Sequence, residues 1–213
     1  MLAKGQMRRI GLLGGSFNPA HRGHRRTSLA AIEALGLDEL WWLVSPGNPL
    51  KPAKGMAPYA ARLASARLIA RRSRIRVSDL EARLNTRYTV DTLTHIVRRS
   101  PHDRFIWLMG EDTLPRFHEW KSWRQIAKTV PIAVLPRPGY DGHARAARAM
   151  GWLRMFVRPS TKAAEWTKWS APAIIFLRLP LDKTSATRLR AHDPDWHLRF
   201  ADLANPAART FKE

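Results

Sequence analysis

The stretch Arg9-Ile10-Gly11-Leu12-Leu13-Gly14-Gly15-Ser16-Phe17-Asn18-Pro19-Ala20-His21-Arg22-Gly23-His24 decides how this chain is read. Its first half is a short apolar run ending in a glycine pair, which predicts a buried strand closed by a tight turn. Residues 23–36 follow as a helix, with Ala30, Ala31 and Ile32 near its centre and Gly36 as the C-cap. Gly14 and Gly15 let the backbone turn and approach a ligand closely. The helix begins near His21 to Gly23, so its free N–H groups and positive dipole end face the same space. His21 and His24 are three apart, so both can sit on one face of that first turn. Two imidazole donors there suit the oxygens of a polyphosphate. Ser16 adds a hydroxyl, and Gly23 keeps the space between the histidines open. The competing reading is a zinc-like pair or a capped loop with incidental histidines. A metal would need further ligands, and the segment offers no carboxylate.

Outward from this stretch, strand and helix signals alternate. Strands are expected at 39–45, 75–78, 104–110, 131–135 and 173–177, and helices at 59–73, 89–99 and 120–129. Each strand is a near-continuous apolar run, which predicts a doubly wound, mostly parallel α/β sheet with helices on both faces. Ligands bind such sheets at the carboxyl ends of strands, where the unusual residues of this chain fall. The 213 residues read as a single domain. Residues 1–7 are expected to be a flexible tail. The stretch 137–168, with seven Lys/Arg against two Asp/Glu and little strand signal, reads as a basic excursion. Residues 184–213 are expected to carry a phosphate motif and a helical segment.

Hydrophobic residues make up 45% and charged residues 25%, so collagenous, low-complexity and wholly disordered classes are excluded. With no cysteine there is no disulfide scaffold, thiolate metal site or cysteine nucleophile. No apolar run approaches the roughly 18–20 residues of a membrane span, and the opening residues are too short in apolar content for a signal peptide. A cytoplasmic protein is the expectation. Lys and Arg number 37 against 17 Asp and Glu, a net charge of +20. Such a field attracts polyanions without saying which.

A second constellation lies late in the chain, at Lys183-Thr184-Ser185-Ala186-Thr187-Arg188-Leu189-Arg190. Hydroxyls and backbone N–H groups opening a helix cradle phosphate oxygens. Arg190 adds a charged, forked donor. Alone, the segment would read as an ordinary Ser/Thr N-cap with a surface arginine.

The first stretch resembles the HxGH nucleotidyltransferase superfamily, whose pattern Gly-Gly-Ser/Thr-Phe-Asp/Asn-Pro-x-His-x-Gly-His is complete over Gly14–His24. The second is similar to that superfamily's Ile-Ser-Ser-Thr-x-x-Arg signature, with Ser185, Thr187 and Arg190 matching and Thr184 and Ala186 departing. His21, rather than threonine, looks like the nicotinate/nicotinamide mononucleotide branch; phosphopantetheine adenylyltransferases usually carry threonine there. Between the two motifs, segments 41–51, Tyr88–Leu93, Gly110–Asp112 with the aromatics to Trp123, and Arg137–Tyr140 resemble the bacterial nicotinate-nucleotide adenylyltransferase family, in family order.

The resemblance implies a Rossmann-like nucleotidyltransferase fold and transfer of the adenylyl group of ATP to nicotinate mononucleotide, giving deamido-NAD and pyrophosphate. It implies roles for His21 and His24 on the ATP phosphates, Ser16 on the attacking phosphate, and Arg190, Ser185 and Thr187 on the β- and γ-phosphates. Gly14, Gly15, Phe17, Gly23, Gly110 and Asp112 are expected on the ATP side, with Asp112 on the ribose. Asn48, Lys51, Thr89, Trp120 and Arg137 are expected on the mononucleotide side, with Trp120 stacking on the pyridine. Mg2+ is expected on the triphosphate, held by phosphate oxygens and water, with no protein metal site. Neither nucleic acid nor membrane is an expected partner, and the oligomeric state is left open.

Two rivals stay within the class: nicotinamide mononucleotide or phosphopantetheine as acceptor. A rival from another class is a basic nucleic-acid module. It would need Lys/Arg interleaved with exposed aromatics. Only 145–169, with Trp152, Trp166 and Trp169 among basic residues, hints at that.

Overall fold

The computed structural model describes residues 7–47, 55–140 and 144–201. Its strands are β1 (Arg9–Gly15), β2 (Glu39–Val44), β3 (Ile75–Ser78), β4 (Arg104–Gly110), β5 (Ile132–Leu135), β6 (Val157–Arg158) and β7 (Ile174–Phe176). Its helices are α1 (Arg22–Leu35), α2 (Tyr59–Ala70), α3 (Leu80–Arg83), α4 (Thr89–Arg99), α5 (Trp123–Thr129), α6 (Met150–Leu153) and α7 (Ala186–His192). The seven strands form one sheet in the order β3-β2-β1-β4-β5-β7-β6, and every pairing is parallel. The expected doubly wound α/β fold is present.

Alternation along the strands supplies two cores. Ile10, Leu12, Phe105, Trp107 and Met109 pack with Val90, Leu93 and Ile96 of α4 and Ile126 of α5 on one face. Leu40, Trp42, Val44, Ile106 and Leu108 pack with Ile32 and Leu35 of α1 and Leu63 and Ala66 of α2 on the other. Both faces are therefore covered, which is why the strands read as continuous apolar runs. The strand order reverses between β1 and β4, so the loops leaving their carboxyl ends diverge and open a crevice.

Several boundaries differ from the expectation for local reasons. Helix α1 begins at Arg22 because His21 is its N-cap, and it ends at Gly36 in the left-handed conformation. Helix α2 stops at Ala70, and Arg72 follows at φ 51°. The helix expected from Trp120 starts at Trp123, behind a 3-10 turn at Leu114–Glu119. The stretch 137–168 also contributes to the fold. Its described residues are 137–140 and 144–168, and the second stretch carries regular elements. It supplies α6, the edge strand β6 and a 3-10 segment at Ser160–Lys168 that covers the sheet beside α1. Ala149, Leu153 and Trp166 are buried, and the Trp166 indole N–H donates to the Leu35 carbonyl at 2.9 Å. A two-residue exposed strand and small buried residues leave little periodic signal. Trp166 is also thereby unavailable as a stacking platform for nucleic acid. No helix among the described residues is long and apolar enough to cross a membrane.

Candidate active site

A cleft of about 1080 Å³ opens over the carboxyl ends of β1 and β4. Its lining includes Gly14, Gly15, Ser16, His21 and His24 from the first motif, and Ser185, Thr187 and Arg190 from the second. Thr89, Trp120, Gly110, Asp112 and Arg137 also line it. Asn48 and Lys51 lie outside the described residues.

The two motifs are joined directly. Arg190 Nη1 donates to the Asn18 carbonyl at 2.5 Å, and its Nη2 donates to Thr187 Oγ1 at 3.3 Å. Arg22 Nε donates to Thr184 Oγ1 at 3.1 Å. Residues 172 apart in sequence thus share one wall of the cleft.

The histidines form a reciprocal cap on α1. The His24 backbone N–H donates to His21 Nδ1 at 3.3 Å, and the His21 N–H donates to His24 Nδ1 at 3.2 Å. The ring centroids are 3.7 Å apart. A neutral imidazole whose Nδ1 accepts carries its proton on Nε2. Each ring is therefore locked as an Nε2–H donor. Burial pushes His21 down to about 4, the Arg137 charge adds to this, and Asp182 opposes it. Burial, then His21, then Arg137 hold His24 well below the usual histidine range. At neutral pH the pair offers two neutral N–H donors. Gly23 is needed beside them, because a Cβ there would lie 3.0 Å from His21 Nδ1 and 3.2 Å from Asp182 Oδ1.

Other expected residues take varied positions. Phe17 is buried, stacked on Trp42 at 4.8 Å and 5.1 Å from the His24 ring. Its side chain supports the histidine from below. Gly110 faces Asp112 so closely that a Cβ would collide with the carboxylate. Arg137 Nε lies 3.4 Å from Asp112 Oδ1, and its backbone N–H donates to Glu111 Oε2 at 3.1 Å. Its charge also lowers the pKa of both histidines. Trp120 packs edge-on against Phe117 and Trp107 at 5.5 and 6.3 Å, leaving its ring half-buried on the cleft wall. Thr89 opens α4 behind Tyr88, which gives no side-chain cap, so the first-turn N–H groups are directed to the cleft end of the helix.

Sequence reasoning missed three groups here. Asp182 accepts from the Thr184 backbone N–H at 2.8 Å and from Arg26 at 3.2 Å, and these contacts, the Thr184 hydrogen bonds first, hold it down to about 2. Asn18 Nδ2 donates to the Gly55 carbonyl at 2.9 Å, and its Oδ1 accepts from the Ala57 N–H at 3.2 Å. Glu81 is buried at the floor of the cleft, 3.5 Å from Thr92 Oγ1.

Burial pushes the Glu81 carboxyl up to about 7, against hydrogen bonds from Ser45 and Thr92. Its folded pKa lies above the unfolded value, so the stability it brings is complete below the ordinary glutamate range. That stability is lost as pH rises through about 7. Glu81→Gln removes this dependence. Denaturant titrations at pH 5 and pH 8.5 should show a smaller loss of stability in the variant, by about 2 kcal/mol. Equal losses in both proteins would refute the assignment.

Among the described residues no three His, Asp or Glu side chains converge as a metal site. The cleft carboxylates Asp112 and Asp182 are engaged by Arg137, Arg26 and Thr184.

Residues 12–192 match the family model described as cytidylyltransferase-like. The chain is 58% identical over 195 residues to a protein of Erythrobacter litoralis described as "Probable nicotinate-nucleotide adenylyltransferase", covering 90% of this chain and 88% of the relative. A protein of Parvibaculum lavamentivorans with the same description is 52% identical, covering 90% and 94%. Among solved structures, the Plasmodium falciparum nicotinic acid mononucleotide adenylyltransferase complexed with NaAD aligns with a TM-score of 0.59 at 15% identity. That alignment covers 86% of this chain and 83% of the other, a likeness of fold.

Proposed function

The chain belongs to the nicotinate-nucleotide adenylyltransferases of the cytidylyltransferase-like family, and from that premise we propose how its cleft performs adenylyl transfer from ATP to nicotinate mononucleotide. The observation that carries the proposal is the joining of the two phosphate-facing motifs through Arg190 and Asn18 beside the locked histidine pair.

An oxygen of the mononucleotide phosphate attacks the α-phosphorus of ATP. The new P–O–P bond forms as the bond from that phosphorus to the bridging oxygen breaks, and pyrophosphate leaves with the electron pair. A phosphate monoester loses its second proton near pH 6, so the nucleophile is already ionised and needs no general base. Catalysis is then positioning and stabilisation of charge. His21 and His24 donate their Nε2–H groups to α-phosphate oxygens. Arg190, Ser185 and Thr187 hold the leaving pyrophosphate, and Arg137 adds a charge beside them. Ser16 orients the attacking phosphate. Asp112 accepts from the ATP ribose hydroxyls. The pyridine carboxylate meets N–H groups at the start of α4 while Trp120 stacks on the ring. Mg2+, carried in on the triphosphate, would neutralise part of its charge. We place the reaction in the cytoplasm, where ATP is supplied.

The test is pyrophosphate release with Mg-ATP and either nicotinate or nicotinamide mononucleotide. Strong preference for nicotinate is expected. Equal rates would remove the role given to the α4 N-terminus, and no release from folded protein with either acceptor would refute the reading.

A further inference from the structure

Arg62, at the end of the first turn of α2, is the most deeply buried cation described, only 1% exposed. Among the described residues no carboxylate pairs with it. Its guanidinium is spent on backbone carbonyls instead. Nη1 donates to Ser16 O and Ser45 O, both at 2.7 Å; Nη2 donates to Pro46 O at 3.1 Å; Nε donates to Ala57 O at 3.0 Å. Burial lowers its pKa, yet an arginine stays charged in a protein. A desolvated charge is expensive unless its donors are satisfied, and here four carbonyls share it.

These carbonyls mark particular places. Ser16 follows β1 and Ser45 follows β2, and both residues line the cleft. Pro46 and Ala57 flank residues 48–54 on either side. Asn18 adds to the same assembly through Gly55 and Ala57. One planar fork therefore sets the spacing between the ends of two adjacent strands on the side of the cleft away from Asp112 and Arg137. A lysine ammonium has three donors but no flat fork, so it cannot reproduce all four contacts.

Resting on the functional reading above, we propose that Arg62 is a positioning residue for the mononucleotide: it sets Ser16 and the Ser45–Pro46 turn at the separation that admits the acceptor phosphate. It touches no substrate and acts through the backbone it holds. A misplacement of about 1 Å can cost two orders of magnitude in rate, so the consequence should be large and one-sided.

The experiment compares Arg62→Lys and Arg62→Met with the wild type. Pyrophosphate release is measured with ATP and nicotinate mononucleotide varied in turn, after folding is verified by near-ultraviolet circular dichroism. The KM for mononucleotide should rise at least about tenfold, with the KM for ATP within about twofold. Lysine should retain more activity than methionine. A mononucleotide KM unchanged in folded variants, or both KM values rising equally, would overturn the inference. Should neither variant fold, hydrogen exchange of the wild type decides. Mononucleotide alone should slow exchange at Ser45, Gly47 and Ala57, and ATP alone should not; equal or absent protection overturns the proposal. A wild type that releases no pyrophosphate with this acceptor refutes the functional reading itself, an outcome visible before any variant is made.

Discussion

His21→Ala and His24→Ala are each expected to lower kcat by about 10²–10³-fold, the usual cost of deleting one preorganised donor to transition-state charge. KM for ATP should move much less, because the donors matter most when charge builds on the α-phosphate. Alanine also removes one half of the reciprocal cap on α1, a loss of about 1 kcal/mol in stability. The two effects can be separated. Asparagine is a good N-cap, so His21→Asn should restore the melting temperature while kcat stays low, since its shorter amide cannot reach where Nε2 reaches. The pH dependence follows from the same geometry. With His21 held down to about 4, the pair is neutral from pH 5 upward, so kcat should show no limb near the ordinary histidine pKa. For stability the sign is opposite to that of Glu81. The unfolded chain binds protons near pH 6.5 that the folded His21 refuses until about 4, so stability falls as pH drops through that window. A kcat within about threefold of wild type in folded His24→Ala would remove the histidines from the chemistry.

The parallel sheet was legible because each buried strand is an uninterrupted apolar run, and the cleft-lining residues of the first motif because glycines, hydroxyls and histidines cluster between a strand and a helix. What stayed hidden has backbone partners. Arg62 reads as one more basic residue in a chain with 37, and the carbonyls it holds carry no side-chain signature. A faint signal was present: Arg62, Ser65 and Ala66 share the helix face that α2 buries, and an arginine on such a face must have partners. Asn18 lay inside the recognised motif, but its bonds to Gly55 and Ala57 cross 37 and 39 residues. Asp182 precedes the second motif by one residue, and its contacts to Thr184 and Arg26 belong to no motif. The elements within 144–168 left little signal for a different reason. Their burial rests on alanines with Met150, Leu153 and Trp166 between surface arginines, so composition pointed outward while packing points inward.

Arg190→Ala is expected to reduce kcat/KM for ATP by about 10²–10³-fold, a larger effect than loss of a phosphate contact alone. Two losses coincide. The forked guanidinium leaves the phosphate wall, and the Asn18 carbonyl loses its 2.5 Å donor, leaving the Arg22–Thr184 hydrogen bond to tie the two motifs. Arg190→Lys should recover part of the binding, since an ammonium keeps the charge, but it cannot serve Asn18 O, Thr187 Oγ1 and a phosphate oxygen in one plane. Helix α7 is exposed, so the fold should survive either change, with a melting temperature within a few degrees of wild type. A double-mutant cycle with Thr187→Ala distinguishes the two losses. If Arg190 acts as a unit with Thr187, the double variant should be hardly worse than Arg190→Ala. If it acts only through Asn18 the penalties should add. Wild-type kcat/KM in Arg190→Ala would mean that the tie between the motifs is architectural and that the leaving pyrophosphate is held elsewhere in the cleft.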